Sequence, residues 1–129
     1  MRMAKLQFDV PGPPVPKARA RTFVSKTGAM KTFTPERTAS YERLVRDVAK
    51  LAVRRARWAL RTTPVRLEVL VRRARAAGDA TNFCKSIEDA CNGVVWTDDE
   101  LVRELEVSVV DGAAPGVTVT VWDLKEALE

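Results

Sequence analysis

Apolar and polar residues alternate along residues 5–10, KLQFDV, and this pattern predicts a half-buried β-strand. The proline-rich stretch PGPPVP, residues 11–16, follows and excludes a helix or an interior strand there. Two short basic arms come next, on either side of Gly28, which marks a turn. The pattern leaves open whether these arms pair as a hairpin or form an ordered loop.

A long helix is predicted to begin with Thr34 as N-cap residue and Pro35 at the first helical position, and to end near Leu60. Apolar residues recur on one face of it, namely Tyr41, Leu44, Val45, Val48, Leu51, Ala52 and Ala59. Six cations follow the opposite face, namely Arg43, Arg46, Lys50, Arg54, Arg57 and Arg61. Such a stripe fits either a solvated surface or a surface that contacts phosphate groups.

The second half of the chain predicts a strand over residues 65–73, a helix over residues 81–92 and two alternating strands over residues 101–110 and 117–122. Because DGAAPG joins the last two strands, we expect them to form an antiparallel hairpin. The tail LKEALE predicts a short helix. This order of elements is typical of an α/β (α+β) fold with a small sheet.

Charge is divided unevenly along this chain of net charge +5. Residues 1–75 hold 19 Lys and Arg against 5 Asp and Glu, whereas residues 76–129 hold 3 against 12. A basic surface indicates a polyanion partner, most often nucleic acid, unless the acidic part neutralises it within the fold. No apolar run is long enough for a membrane span, and the N-terminus lacks the pattern of a signal peptide, so we expect a cytoplasmic protein.

The two cysteines, Cys84 and Cys91, predict neither a disulfide nor a zinc site. On one helix they are separated by about 10 Å of rise, beyond the reach of a disulfide. The chain has no histidine to complete a zinc site. We interpret both as small buried apolar residues.

Residues 78–100 contain six carboxylates and one lysine. On a helical wheel of residues 81–92, the polar face collects Thr81, Lys85, Glu88, Asp89 and Asn92. One interpretation is a solvent-exposed helix with ordinary ion pairs between Lys85 and the acids that follow it. The other is a site for Mg²⁺ or Mn²⁺, which prefer hard oxygen ligands. A carboxylate metal site in a basic domain is the combination that a metal-dependent nuclease needs.

Two blocks of the sequence resemble the RusA family of endodeoxyribonucleases, the Holliday junction resolvases of bacteria, prophages and phages. The first is PGPPVPKARART, followed by TPERTASYE at the start of the long helix. The second is similar to the family's D-x-D-N, lysine, D-A-L-N-G and D-D pattern. Its counterparts here are Asp79-Ala80-Thr81-Asn82, Lys85, Asp89-Ala90-Cys91-Asn92-Gly93 and Asp98-Asp99.

The resemblance implies one domain over residues 1–129, with a small mixed sheet packed against a long helix and a short active-site helix. It also implies a homodimer that makes paired nicks in four-way junction DNA with Mg²⁺, for which Mn²⁺ can substitute. The implied catalytic residues are Asp79, Lys85, Asp98 and Asp99, with Asp79 and Asp99 as metal ligands and Asp98 supporting or sharing the metal. The implied DNA contacts are Lys17, Arg19 and Arg21, to which the stripe adds Arg43, Arg46 and Lys50. Asn82 and Asp89 are supporting residues. Asp89 has a positioning role, which it exerts through Lys85.

One departure from the family pattern bears on activity. Thr81 stands where the second aspartate of D-x-D-N is expected, so a ligand that the resemblance implies is missing. Glu88, two turns further along the same helix face, is a hypothetical replacement. The alternatives are a weaker but active site, or a protein that binds junctions without cutting them. A DNA-binding or architectural protein, and a phosphodiesterase acting on flaps or RNA, fit the same residues.

Overall fold

The computed structural model describes residues 4–18, 21–33, 35–112 and 114–124. Six strands and two helices follow the chain: β1 (Lys5–Pro11), β2 (Arg21–Val24), β3 (Met30–Phe33), α1 (Glu36–Ala56), β4 (Val65–Arg73), α2 (Ala80–Cys91), β5 (Val102–Asp111) and β6 (Gly116–Asp123). A short 3-10 turn, Asp99–Leu101, precedes β5. The predicted mixed α+β fold is confirmed.

Four strands form one mixed sheet in the order β1-β6-β4-β5. Strand β6 is antiparallel to both of its neighbours, and β4 and β5 are parallel. Because parallel neighbours need a crossover connection, α2 lies between β4 and β5 in sequence and packs beside them. The unit β4-α2-β5 therefore brings the acidic stretch across one face of the sheet.

The predicted antiparallel pairing of the last two strands is wrong. Strands β5 and β6 lie on opposite sides of β4, and neither pairs with the other. Alternation identifies a strand but not its neighbour, and the buried face of β6 (Val117, Val119 and Val121) packs in the middle of the sheet. The connection between β5 and β6 passes the end of β4 instead of forming a tight turn.

Strands β2 and β3 form a separate two-stranded hairpin, which decides between the two possibilities for the basic arms. Gly28 lies in its turn with φ of 84°, a conformation that glycine adopts without the strain of a side chain. The side chains of residues 21–23 and 31–33 are outside the described part of the structure.

Helix α1 is shorter than predicted. It starts after Pro35, which occupies the N-cap position instead of the first helical position, and Thr34 lies outside the described residues. It ends at Ala56 because Arg57 adopts a left-handed conformation with φ of 54°. The chain then turns back and buries Trp58.

The apolar face predicted for α1 is too wide. Tyr41, Val45 and Ala49 are buried against the sheet, whereas Leu44 and Leu51 are 39% and 45% exposed. Arg61 lies beyond the helix, so it does not belong to the basic stripe. Its guanidinium stacks over the Trp58 ring at 3.7 Å and lies 3.0 Å from Asp123.

Both helices cover the same face of the sheet, where the core lies. Cys84 and Cys91 are free and buried in that core, as the sequence indicates. The opposite face is polar. There Arg66 of β4 forms ion pairs with Glu68 of the same strand and with Glu104 and Glu106 of the neighbouring β5. Within the described ranges, no helix combines the length and the apolar character needed to cross a bilayer. The tail beyond Leu124 is outside the described residues.

Candidate active site

Asp79 occupies the N-cap position of α2. Its carboxylate accepts hydrogen bonds from the backbone N–H of Asn82 at 2.9 Å and from the side-chain amide of Asn82 at 3.3 Å. Gly78 precedes it with φ of 85°, and a Cβ atom there would lie 2.8 Å from the Phe83 ring. The local sequence therefore fixes one carboxylate at the positive end of a helix dipole.

The proline-rich loop docks directly on α2. The backbone N–H of Lys17 donates to the carbonyl oxygen of Asn82 at 2.8 Å. One turn further along, the buried hydroxyl of Ser86 donates to the carbonyl oxygen of Val15 at 3.0 Å. Two segments that are far apart in sequence are thus held together at the start of the acidic helix.

Five charged side chains form an alternating series that we call the charge chain: Glu42, Lys17, Asp89, Lys85 and Asp99. The Lys17 ammonium lies 2.5 Å from Glu42 and 3.2 Å from Asp89. The Lys85 ammonium lies 3.2 Å from Asp89 and 3.2 Å from Asp99. The hydrogen bond to Asp89 is the largest cause of a raised pKa at Lys85. The two lysines therefore join α1, the proline-rich loop, α2 and the turn before β5.

Asp98 and Asp99 lie at the start of the 3-10 turn that leads into β5. The carboxylate of Asp98 caps this turn by accepting a hydrogen bond from the Glu100 N–H at 2.9 Å. The next residue, Asp99, directs its carboxylate to Lys85. The adjacent aspartates thus have different partners: Asp98 holds the turn, and Asp99 faces α2.

A cavity of about 230 Å³ opens beside Lys85, between α2 and β5. Thr81 and Glu88 both line it, so the altered family position and its hypothetical replacement share one cavity. The carboxylate of Glu88 accepts a hydrogen bond from the Cys84 thiol at 3.1 Å, one turn toward the start of α2. Burial is the main cause of a raised pKa at Glu88, and the charge of Asp99 raises it further.

The donor chemistry of this region suits Mg²⁺, although the donors are not already gathered. Asp79, Asp98, Asp99 and Glu88 offer hard carboxylate oxygens, and Mg²⁺ usually keeps several waters beside one or two carboxylates. In the described part of the chain, no three potential ligands are close enough together to form a ready metal site. A cation bound by Asp99 would replace one of the two partners of Lys85.

The basic residues predicted to contact DNA have different environments. Arg46 donates to the carbonyl oxygens of Asp89 at 3.3 Å and Ala90 at 3.2 Å, so it holds the end of α2. Arg43 pairs with Glu36 at 2.8 Å. Lys50 is exposed and has no ion pair among the described residues. Arg19 lies outside the described residues, and so does the side chain of Arg21.

The structure adds residues that the sequence analysis missed. A second cavity, of about 500 Å³, lies beside Gly78 and is lined by prolines of the N-terminal loop and by Arg37, Arg73 and Arg75. Arg73 is engaged by Asp111 and by the carbonyl oxygen of Ala77, whereas Arg37 and Arg75 have no ion pair within the described ranges. No local pattern marks these two arginines, because only the folded chain brings them together.

Asp79 at the N-cap of α2 and Lys85 beside Asp99, in a basic protein, agree with the class of metal-dependent nucleases expected from the sequence. Comparison with protein-family models matches the model described as endodeoxyribonuclease RusA over residues 11–122. The chain therefore belongs to the RusA family, a family of endodeoxyribonucleases, and the predicted resemblance is confirmed. No curated protein matches the sequence.

Proposed function

We propose that this protein is a Mg²⁺-dependent endodeoxyribonuclease that resolves four-way DNA junctions by paired nicks. The observation that carries the proposal is the position of Lys85 between Asp89 and Asp99 in a chain of the RusA family. Residues 1–129 act as one domain, and two copies form a homodimer, because symmetric cuts need two sites related by a two-fold axis. The work takes place in the cytoplasm of a bacterium or of a phage-infected cell.

Asp79 and Asp99 hold the metal ion in this proposal, and Asp98 supports Asp99 through the turn that it caps. When bound, Mg²⁺ supplies a polarised water and positive charge at the scissile phosphate. Lys85 adds an ammonium that stabilises negative charge on the phosphate in the transition state. Asp89 positions Lys85 from one turn away, and Lys17 and Glu42 hold Asp89 in turn.

Phosphate binding is assigned in this proposal to cations without an ion pair among the described residues. Arg37 and Arg75 line the cavity beside Gly78, and Lys50 extends the basic surface along α1. A DNA contact by Lys17 remains a prediction, since its ammonium bridges Glu42 and Asp89 in the structure. Arg43 and Arg46 contribute charge to the surface while they bond within the protein.

Glu88 takes over the role of the missing second aspartate in this proposal. Helical side chains lean toward the N-terminus, which directs the Glu88 carboxylate toward Thr81. Its hydrogen bond from Cys84 has that direction. A half-buried carboxylate beside Asp99 gains stability from a cation in the same cavity, because the cation offsets both burial and repulsion.

A second function is favoured by Thr81 itself. If Glu88 does not reach the metal, the protein binds branched DNA through its basic surfaces without cutting it. A third possibility, cleavage of flaps or RNA, uses the same residues and differs only in substrate.

The decisive experiment is incubation of a synthetic four-way junction with the protein in Mg²⁺ or in EDTA, beside a linear duplex of the same sequence. We expect junction-selective nicks at symmetric positions, present in Mg²⁺ and lost by about 10³-fold in Asp99→Asn, because several kcal/mol of charge stabilisation depend on the metal. Junction binding by the variant should be retained, since the change removes negative charge. Tight binding without nicks in either Mg²⁺ or Mn²⁺ would instead establish the binding protein.

A further inference from the structure

The cavity beside Gly78 has an apolar side that phosphate binding alone does not need. Pro13, Pro14 and Pro16 line it, and Phe83, which is 3% exposed, forms its floor. Because proline has no backbone N–H, this side presents ring carbons instead of hydrogen-bond donors. The volume of about 500 Å³ falls within the range of roughly 300–1,000 Å³ that is usual for sites of small organic ligands. The cavity is therefore suited to a flat organic group as well as to an anion.

The shape of this cavity is held by the fold. Arg73, at the end of β4, pairs with Asp111 at the end of β5, and it also donates to the carbonyl oxygens of Ala77 and Gly78. These bonds fix the segment between β4 and α2 against the sheet. On the other side, a Cβ atom at Gly78 would lie 3.1 Å from the Pro16 ring, so the proline-rich loop packs closely on the same segment. A ligand would therefore find the cavity already formed.

A third cavity, of about 330 Å³, connects this region to the candidate active site. It shares Pro16, Arg37 and Gly78 with the cavity beside Gly78, and it reaches Asn82. Asn82 also lines the cavity that contains Lys85. The three cavities thus follow one another around the first turn of α2. A DNA strand lying along them would place neighbouring nucleotides at the apolar side and at the candidate active site.

We propose that the cavity beside Gly78 binds an unpaired base of the DNA, next to the phosphate that is cut. The base packs on the prolines and on Phe83, and phosphates of the same strand contact Arg37 and Arg75, which have no ion pair among the described residues. Stacking of a base on ring side chains adds affinity and does not depend on the identity of the base.

This inference rests on the proposed action on branched DNA and gives a physical basis for its selectivity. Taking a base out of a duplex costs free energy, and the cost is smallest for a base that is already unpaired. The branch point of a junction interrupts stacking and so supplies such a base more readily than a linear duplex does. Phosphate contacts to Arg37 and Arg75 alone would not distinguish the two substrates.

The test compares two linear duplexes that differ only in one base. One carries a single bulged nucleotide, and the other carries an abasic residue in the same bulge, so both have the same phosphates. Binding is measured in EDTA by fluorescence anisotropy. We expect the bulged nucleotide to be bound about tenfold more tightly than the abasic bulge, which is the scale of stacking one base.

Three alanines of one exposed segment provide matched variants. Ala74 and Ala77 line the cavity, whereas Ala76 does not. Ala77→Leu narrows the cavity without changing any charge and should reduce the preference for the bulged nucleotide to about twofold or less. Ala74→Leu is a second variant of the same kind. Ala76→Leu should keep the tenfold preference, and circular dichroism shows whether each variant is folded.

Equal affinity for the two bulges, or no measurable binding of either, would overturn the proposal. An equal loss of preference in Ala76→Leu would also overturn it, because the effect would not depend on the cavity. Since EDTA prevents metal-dependent cutting, a preference that Ala77→Leu removes and Ala76→Leu keeps would support the base site even in a protein that never cleaves a junction. Junction cleavage together with equal affinity for the two bulges would count against the base site and leave the nuclease proposal standing.

Discussion

Helices α1 and α2 pack on the same face of the sheet, but the last two turns of α1 hold their charged side chains in the opposite way from α2. On α2, Lys85 shares its ammonium between two carboxylates, and Asp89 shares its carboxylate between two lysines. On α1, Lys50 and Arg54 extend into solvent without an ion pair among the described residues. The first arrangement is a coupled network, and the second is a set of independent charges.

This difference separates two tasks. Each independent surface cation contributes separately to the free energy of binding a polyanion, and the contributions are nearly additive. Salt weakens each of them. Coupled groups hold one another in position, so the loss of one disturbs the others and the effects do not add. We therefore expect substitutions on the polar face of α2 to change the cleavage rate by large factors and substitutions in the last two turns of α1 to change DNA affinity by small ones.

Among the substitutions that compare the two helices, the largest effect is expected at Lys85. Lys85→Gln removes the ammonium near the scissile phosphate and should lower the single-turnover rate of junction cleavage by about 10²-fold, the usual cost of losing one preorganised donor. Junction binding should fall only slightly. The rate is measured with saturating protein and Mg²⁺.

Lys26→Gln is the control for Lys85, because it removes the same charge from the exposed turn between β2 and β3. It should leave the rate unchanged. Equal loss of rate in both variants would show that Lys85 acts only through general electrostatics, and the contrast between the helices would disappear.

The sequence indicated most of α2 but little of what surrounds it. Helical periodicity and the Asn92-Gly93 end located the helix to within one residue, and the wheel placed Thr81, Lys85 and Glu88 on one face. The contact between Lys17 and Glu42 could not be predicted, because it joins residues 25 positions apart through a loop without periodicity.

The sequence predicts which residues form the strands of the sheet, but it does not predict the order of the strands within it. Alternation of apolar and polar residues located β1, β4, β5 and β6, and burial alternates with the same period in β1 and in most of β4. A short connection between two alternating strands predicts a tight hairpin, but the crossover through α2 places β4 between β5 and β6. A strand–helix–strand pattern over residues 65–111 was the available signal for parallel pairing.

A smaller effect is expected at Glu88, and it concerns metal affinity. If Glu88 replaces the missing aspartate, Glu88→Gln should raise the Mg²⁺ concentration for half-maximal cleavage by about tenfold, because one carboxylate of the site is lost. Calorimetric titration of Mg²⁺ without DNA provides a second readout that is independent of cleavage.

Thr81→Asp is the informative partner of Glu88→Gln. It restores the family's carboxylate and should recover Mg²⁺ affinity in the double variant. Unchanged Mg²⁺ dependence in Glu88→Gln would rule out the compensating role and leave Glu88 as a half-buried residue of the cavity wall.

The smallest effect is expected on α1. Lys50→Ala removes one independent phosphate contact, so junction affinity should fall only a few-fold. The negative slope of log affinity against log salt should become shallower by about 0.9. Cleavage by bound protein should not change.

Lys5→Ala removes the same charge from an exposed position of β1 on the face of the sheet away from both helices, and it should alter neither the affinity nor the slope. Fluorescence anisotropy of a labelled junction at several salt concentrations measures both quantities. If Lys50→Ala instead slowed cleavage as Lys85→Gln does, the last two turns of α1 would also belong to the coupled network, and the division of tasks would be wrong.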